Sequence, residues 1–305
     1  MTKKRTARSA GLLATLMAVA LVASACGSDD SDDSADSADG GKGGTITLGI
    51  IPSWTDGLST AHLWKTVLED EGYKVDITEI SEAAPLYTGL ANGDIDVYPS
   101  GWPEATHKQY MDKYGDDIDD LGAYYDNAKL TFAVPEYTDI DSIADLKGKG
   151  DQFDGRIVGI EPGAGLTAVT KDSVIPEYDL ADEYELVESS TTAMLAELKS
   201  ATDAKKDIVV TLWKPFWANS AFPVKDLDDP KGALGPVEGL HELARTGFAD
   251  DFPDVAEMMV NFKLDDDQYG QLEDLVVNQY GEGKESDAID EWLKKNPDFV
   301  DGLKG

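Results

Sequence analysis

Strand-like and helix-like patterns alternate along the chain from residue 45 onward. TITLGII at 45–51 is a continuous apolar and β-branched run, as expected of a strand buried on both faces. A helical stripe follows and stops at Gly72, and YKVDITEI at 73–80 alternates as a strand. A short helix is predicted from Pro85 to Gly93, and IDVYPSGW is the next strand. This alternation with short connections predicts the α/β class.

A second series of the same kind begins near residue 138. A short helix is predicted at 141–150, followed by a strand at 156–163, a helix at 191–201 and a buried strand at 207–213. The tail from Pro253 is helical, with apolar stripes that include Ile289 and Trp292. We therefore expect mainly parallel sheets and two lobes around a cleft.

The lobe boundaries follow from the two series of elements. The first lobe is predicted to hold residues 45–133 and 240–305, and the second to hold 134–239. AKLTFAV and GLHELAR are the candidate strands that cross between the lobes, because the series on either side of them require separate sheets.

The first 25 residues are typical of a secretory signal and not of the fold. A basic start is followed by an apolar stretch too short to span a membrane, and small residues then lead into Cys26, the only cysteine. This order resembles a bacterial lipoprotein signal, which predicts lipid attachment at Cys26. Leucine is commoner where this chain has Ala23, and an ordinary signal peptide with a coincidental cysteine is the alternative.

Residues 26–44 are predicted to be a disordered acidic tether, because they lack apolar residues large enough to form a core. The whole chain carries 26 basic and 60 acidic residues, a net charge of −34. Such a surface repels nucleic acid and anionic headgroups, so a lipid anchor would have to hold the protein at the membrane. An extracytoplasmic, membrane-anchored monomer is expected.

Three of the six tryptophans lie at or just after the ends of predicted strands. Trp54 follows LGIIPS, Trp102 follows VYPSG, and Trp213 follows VVTL. Because ligands of open α/β sheets bind outside the carboxyl ends of the strands, these three are expected to share a site. The other three tryptophans, at positions 64, 217 and 292, are interpreted as core residues.

A quaternary ammonium group is a suitable ligand for three indole rings. It has no hydrogen-bond donor, and its charge is spread over methyl groups that suit the negative faces of aromatic rings. Each ring contributes roughly 0.5–2 kcal/mol. Three rings together therefore supply several kcal/mol, the order of free energy that micromolar binding involves.

The motifs in chain order resemble the glycine betaine/proline betaine/choline receptors of ABC importers. The resemblance spans residues 45 to 300 and rests on four segments: GIIPSWTDGLSTAHLWKTVLEDEGY, APLYTGLANGDIDVYPSGWPEATHKQYMDKYG, GIEPGAGLTAV and VVTLWKPFWAN. It implies a two-lobed, type II-like periplasmic-binding-protein fold with the ligand in the cleft between lobes. It also implies a cognate permease, a role in osmoprotection and no enzymatic activity.

The resemblance assigns the site residue by residue. Trp54, Trp102 and Trp213 match an aromatic box around the trimethylammonium head. His107 and the backbone amides of Gly165 and Leu166 match the groups that meet the ligand carboxylate, and proximity to that anion is expected to favour charged histidine. Tyr87 matches an aromatic position near the pocket, and Ala164 stands where some relatives carry an aromatic residue. Glycine betaine is the expected ligand, with proline betaine, choline and carnitine as alternatives.

Other classes of function find weaker support. GAGLTA after a strand fits a dinucleotide turn, but a secreted location disfavours a nicotinamide cofactor and the same helix start can bind a carboxylate. Asp265 could open a calcium loop, but its twelfth position is Val276, so a solvated helix start is preferred. We expect no metal and no cofactor. No nucleophile motif accompanies His107, which on sequence alone could also be a surface residue. A structural lipoprotein with core tryptophans remains the distant alternative.

Overall fold

The computed structural model describes residues 43–305. The predicted signal at 1–25, Cys26 and the tether as far as residue 42 lie outside the described residues. Within the described range, no helix combines the length and the apolar character that a membrane span requires.

Nine strands occur in residues 43–305. They are Thr45–Ile50 (β1), Lys74–Glu79 (β2), Val97–Gly101 (β3), Ile118–Pro135 (β4), Arg156–Val158 (β5), Glu185–Val187 (β6), Val210–Lys214 (β7), Val224–Asp226 (β8) and Glu238–Arg245 (β9).

The helices surround these strands. They are Thr55–Asp70 (α1), Ala83–Asn92 (α2), Lys108–Tyr114 (α3), Gly165–Val169 (α4), Ile175–Glu177 (α5), Thr191–Ala204 (α6), Ala218–Ala221 (α7), Phe248–Asp251 (α8), Pro253–Asn261 (α9), Asp266–Glu273 (α10), Glu285–Lys295 (α11) and Phe299–Leu303 (α12). A π-helical turn at Thr170–Val174 joins α4 to α5, and another at Asp274–Tyr280 continues α10.

The long strand β4 pairs with two groups of strands. Its first part, Ile118–Ala128, runs antiparallel to β9, which also pairs with β3; β3 and β2 both run parallel to β1. Its second part, Lys129–Pro135, runs antiparallel to β7 and β8, and β5 joins β7 to β6 by parallel pairing. We call these two groups sheet A and sheet B. The predicted lobe boundaries remain a prediction, but β4 is the strand that the two sheets share.

The expectation of mainly parallel sheets is wrong, since every pair that involves β4 or β9 is antiparallel. The crossing strand is also longer than the predicted AKLTFAV segment, residues 128–134. Its first part contains aspartates, Gly122 and Asn127, which disfavour strands, and the register against β9 shifts three times there. Backbone pairing with β9 maintains this part of the strand.

Two predicted helix boundaries show why the sequence forms these helices. Gly93 ends α2 in the left-handed conformation, φ 76°, which glycine adopts without steric cost. At the start of α10 the Asp265 carboxylate accepts the backbone N–H of Gln268, and the side-chain oxygen of Gln268 accepts the backbone N–H of Asp265. The prediction of a helix start at Asp265 is therefore confirmed.

Two of the three tryptophans assigned to the core are buried as predicted. Trp64 is 1% exposed and packs edge-on against Phe262, with ring centroids 5.1 Å apart. Trp292 is fully buried on α11, packs against Phe299 and donates its indole N–H to the carbonyl of Gln268. These side chains attach the C-terminal helices to the rest of the described chain.

Replacing Trp292 by alanine should therefore remove a large part of the stability. Loss of a buried tryptophan typically lowers the free energy of unfolding by about 3–5 kcal/mol. The matched control is Val260→Ala on α9, because Val260 is 51% exposed; its effect should stay within about 0.5 kcal/mol. Urea unfolding followed by circular dichroism measures both, and similar losses for the two variants would contradict this account of the core.

Candidate functional site

The structure brings the three strand-end tryptophans together in one small cavity. Trp54 follows β1 and directly precedes α1, Trp102 follows β3, and Trp213 is the next-to-last residue of β7. All three are nearly buried, at 7%, 5% and 5% exposure. The cavity lies between sheet A and sheet B, and its lining is Trp54, Asp56, Trp102, Thr106, His107, Leu130, Ile160, Ala164, Gly165, Leu166 and Trp213.

Each indole of this aromatic box is held by a defined neighbour. The N–H of Trp54 donates to Glu161 at 3.1 Å, and that of Trp102 donates to Asp56 at 3.4 Å. The Trp213 ring stacks on Phe216, with centroids 4.0 Å apart. Because the indole N–H groups of Trp54 and Trp102 are both bonded to carboxylates, these bonds set the orientations of the two rings in this arrangement.

His107 lies at the cavity and is only 2% exposed, so it is not the surface histidine that the sequence left open. Its Nδ1 accepts the backbone N–H of Trp102 at 3.2 Å and lies 2.9 Å from the Tyr87 hydroxyl. An amide N–H can only donate, so Nδ1 is the acceptor and the proton is on Nε2.

The expectation that a ligand carboxylate favours charged His107 stays a prediction, and burial of the ring opposes it. Burial lowers its pKa to about 3, because no carboxylate in contact offsets the loss of hydration. At neutral pH the ring is therefore a neutral imidazole that can donate one hydrogen bond from Nε2. The sequence predicted that His107 lies at the site, but its protonation state depends on the burial produced by the surrounding fold.

Tyr87 is placed behind His107 and does not line the cavity. It is fully buried, stacks on Tyr110 with centroids 4.8 Å apart, and meets the His107 ring edge-on at 5.5 Å. Tyr87 therefore lies near the pocket, where it fixes the orientation of the histidine ring from behind, and its contact with a ligand stays a prediction.

The glycine turn reaches the cavity from sheet B. Strand β5 ends at Val158, five residues earlier than predicted, and the freed segment leads into α4 at Gly165. The first amides of a helix have no partner within the helix, so those of Gly165 and Leu166 are available to an anion. A Cβ on Gly165 would lie 2.1 Å from the carbonyl oxygen of Thr106, which belongs to the opposite side of the cleft. Only glycine permits this approach.

Sequence reasoning missed Asp56, whose carboxylate lines the same cavity. It is 2% exposed; Oδ2 accepts from Ser100 and Trp102, while Oδ1 is buried without a partner. Burial raises the pKa of Asp56. The available signal was its spacing of two residues after Trp54, at a strand end, in a segment otherwise interpreted as the start of a helix.

Trp217 corrects another sequence interpretation. It was assigned to the core, but its side chain is only half-buried and lines a second groove beside the cavity. The buried aromatic residue of that segment is Phe216, 4% exposed, which lies against Trp213. In the described residues, no group of three or more histidine, cysteine, aspartate or glutamate side chains could hold a metal ion.

Comparison with known proteins agrees with this geometry. Residues 44–295 match the family described as the substrate binding domain of the ABC-type glycine betaine transport system. The chain belongs to this family. The resemblance stated from the sequence is thereby confirmed, and the family comprises transporter substrate-binding proteins, not enzymes.

Named relatives show how far the similarity of this substrate-binding domain extends. The glycine betaine/carnitine transport binding protein of Listeria monocytogenes is 36% identical over 158 residues, so the match covers half of this chain and half the length of that relative. The glycine betaine/L-proline-binding protein of Borrelia burgdorferi is 36% identical, with a TM-score of 0.79 over 86% of this chain and 97% of that chain. A lactococcal protein in a closed conformation with glycine betaine is 29% identical, with a TM-score of 0.78 over 86% and 99%. The predicted two-lobed α/β fold is confirmed.

The buried neutral state of His107 predicts how stability depends on pH. The pKa is about 3 in the folded protein and about 6.5 in the unfolded chain. The contribution of His107 to the free energy of unfolding is complete above pH 6.5. It is lost as the pH falls toward 3, because in this range only the unfolded state binds the proton. At pH 5 the loss is about 2 kcal/mol. Urea unfolding at pH 7 and pH 5 measures this loss. Between these pH values the parent should lose about 2 kcal/mol more of its free energy of unfolding than His107→Gln does. A ring resonance that titrates near pH 6.5 in folded protein would contradict the assignment.

Proposed function

We propose that this chain binds a betaine, glycine betaine foremost, and delivers it to the permease of an ABC importer. The observation that carries the proposal is that one buried cavity has three indoles together with His107 and the start of α4. A betaine has a cationic end without hydrogen-bond donors and an anionic end that needs donors. The cavity offers groups for both.

The cationic end is assigned to the aromatic box. A trimethylammonium group is weakly hydrated, and the faces of Trp54, Trp102 and Trp213 attract it more strongly in a site from which water is excluded. The carboxylates bonded to two of the indoles add negative potential near the rings. Free betaine is compact, so a narrow cavity suits it.

The carboxylate end is assigned to His107 and the glycine turn. The Nε2–H of His107 donates from sheet A, and the amides of Gly165 and Leu166 donate from sheet B. The ligand then contacts both halves of the protein, so binding and closing of the cleft are linked. The role of the chain is binding without turnover.

Cellular location is part of the same proposal. The receptor is extracytoplasmic and held at the membrane by a lipid on Cys26, with the acidic tether between the anchor and the described fold. The net charge of −34 keeps the protein away from anionic lipid headgroups, so the anchor and the permease set its position. Proteolytic digestion of the protein followed by mass spectrometry of its N-terminal peptide tests for the expected lipid on Cys26.

Loss of a box tryptophan should weaken betaine binding in variants that circular dichroism shows to be folded. Single Trp54→Ala, Trp102→Ala and Trp213→Ala changes should each weaken binding by about 1–3 kcal/mol. Isothermal titration with glycine betaine measures the effect. Trp292→Phe is the control, because Trp292 is buried outside the cavity lining and phenylalanine keeps most of its packing. Three alanine variants that bind as tightly as the parent would rule out the box.

Choline is the second candidate, and Asp56 is the observation that favours it. Choline carries a net positive charge and a hydroxyl group in place of the carboxylate. The buried, unpartnered Oδ1 of Asp56 can accept that hydroxyl and its carboxylate can balance the charge, whereas a betaine carboxylate would be repelled by it. His107 and Asp56 therefore favour different ligands in one cavity.

The two candidates are separated by a pair of substitutions. His107→Ala should weaken glycine betaine binding by roughly tenfold or more, because a hydrogen bond to a charged group is lost, and should affect choline much less. Asp56→Asn should act the opposite way, because the amide keeps the volume and removes the charge. Titration of each variant with both ligands gives the ratio of affinities. Equal losses for both ligands in both variants would contradict these assignments.

A further inference from the structure

Glu161 lies between the two halves of the protein and accepts hydrogen bonds from both. It follows β5 in the segment that leads to the glycine turn, and it is only 5% exposed. On the sheet B side it accepts the amide of Thr191 at 2.9 Å and the Thr191 hydroxyl at 2.8 Å, at the start of α6. On the sheet A side it accepts the hydroxyl of Ser53 at 3.2 Å and the indole N–H of Trp54 at 3.1 Å.

A second buried acidic side chain holds the neighbouring residue. Glu273, at the end of α10, is 3% exposed and accepts the hydroxyl of Thr55. The segment Ser53–Thr55 is therefore held by two buried acidic side chains, and Glu161 is the one whose bonds reach residues of both sheets.

Close contacts show that these bonds belong to a closed cleft. The Tyr110 hydroxyl of α3 donates to the carbonyl of Gly163 at 2.6 Å, and Gly165 lies against the backbone of Thr106. If the halves separated, Glu161 would keep Thr191 but lose Ser53 and Trp54, since those residues move with sheet A. The Trp54 indole would then lose the bond that sets its orientation in the box.

We propose that Glu161 is a positioning residue that bridges the cleft, stabilises the closed state and sets the Trp54 ring for the cation. The inference rests on the proposed function and deepens it. The bonds from Ser53 and Trp54 to Glu161 stabilise the closed state alone, because they form only when the two halves meet. The apparent affinity for any ligand that closes the cleft therefore includes the Glu161 bonds.

A substitution at Glu161 should change the affinities differently from a substitution at a residue that contacts the ligand. His107 and Asp56 meet the end at which betaine and choline differ, so changing either alters the preference between them. Glu161 is assigned to closure, which both ligands need. Removing its charge should weaken both ligands by the same factor, with their ratio preserved.

The test compares Glu161→Gln with Thr191→Val in the full chain. Glutamine keeps the volume and can still accept from Thr191, but it weakens the bonds to Ser53 and Trp54. Valine removes the Thr191 hydroxyl bond and leaves the cross-cleft bonds intact. Titration calorimetry gives the Kd values for glycine betaine and choline, stopped-flow fluorescence gives the dissociation rates, and small-angle scattering gives the radius of gyration with and without ligand.

We expect Glu161→Gln to raise both Kd values about tenfold through faster dissociation. Thr191→Val should stay within about twofold of the parent. Saturating ligand should still compact both variants. Ser53→Ala should show a smaller loss of affinity for both ligands. This second variant keeps the proposal testable if Glu161→Gln folds poorly.

Two outcomes would overturn the bridge. Unchanged Kd values in Glu161→Gln, with a parent that binds, would show that closure does not depend on it. A selective loss of choline, or an equal loss in Thr191→Val, would show that Glu161 acts as a counter-charge or through α6. A parent that binds neither ligand would instead refute the proposed function.

Discussion

The approach of Gly165 to the backbone of Thr106 is the contact on which the site depends. No side chain fits between these two segments, since a Cβ would meet the Thr106 carbonyl at 2.1 Å. The start of α4 can therefore reach the cavity from sheet B and meet His107 from sheet A. With the halves this close, Trp213 shares a cavity with Trp54 and Trp102. The cavity is thus built from parts that are far apart in sequence and that belong to the two sheets.

Buried carboxylates hold the loops of this site in place. Glu238, at the start of β9, accepts the amides of Ala105 and Thr106, which fixes the loop immediately before His107. Asp56 holds Trp102, and Glu161 holds Trp54. A buried carboxylate is costly unless donors surround it, so each one strongly prefers the arrangement that supplies those donors. The geometry of the aromatic box is maintained in this way by polar groups behind the rings.

Much of the fold and the site could be predicted because strand ends and helix starts have local signals. The three strand-end tryptophans, the glycine turn and His107 all line the cavity or its edge, as predicted from the motifs. The antiparallel crossing strand could not be recognised in full, because the first part of β4 is polar and broken by Gly122, and only its partners make it a strand. The spacing of Asp56 after Trp54 is too weak a signal to distinguish it from a solvated aspartate in a first helical turn.

The protonation of His107 illustrates the same limit and bears on selectivity. A histidine next to an expected carboxylate suggests an imidazolium ion, but the tertiary fold buries the ring and gives its Nδ1 to the Trp102 amide. A neutral donor attracts a carboxylate less than a cation would, and it repels a cationic ligand less. The two proposed ligands, a zwitterion and a cation, can therefore share this cavity without a change of charge at position 107. Under that proposal, the preference between them depends on the balance between the α4 amides, which favour an anion, and Asp56, which disfavours one.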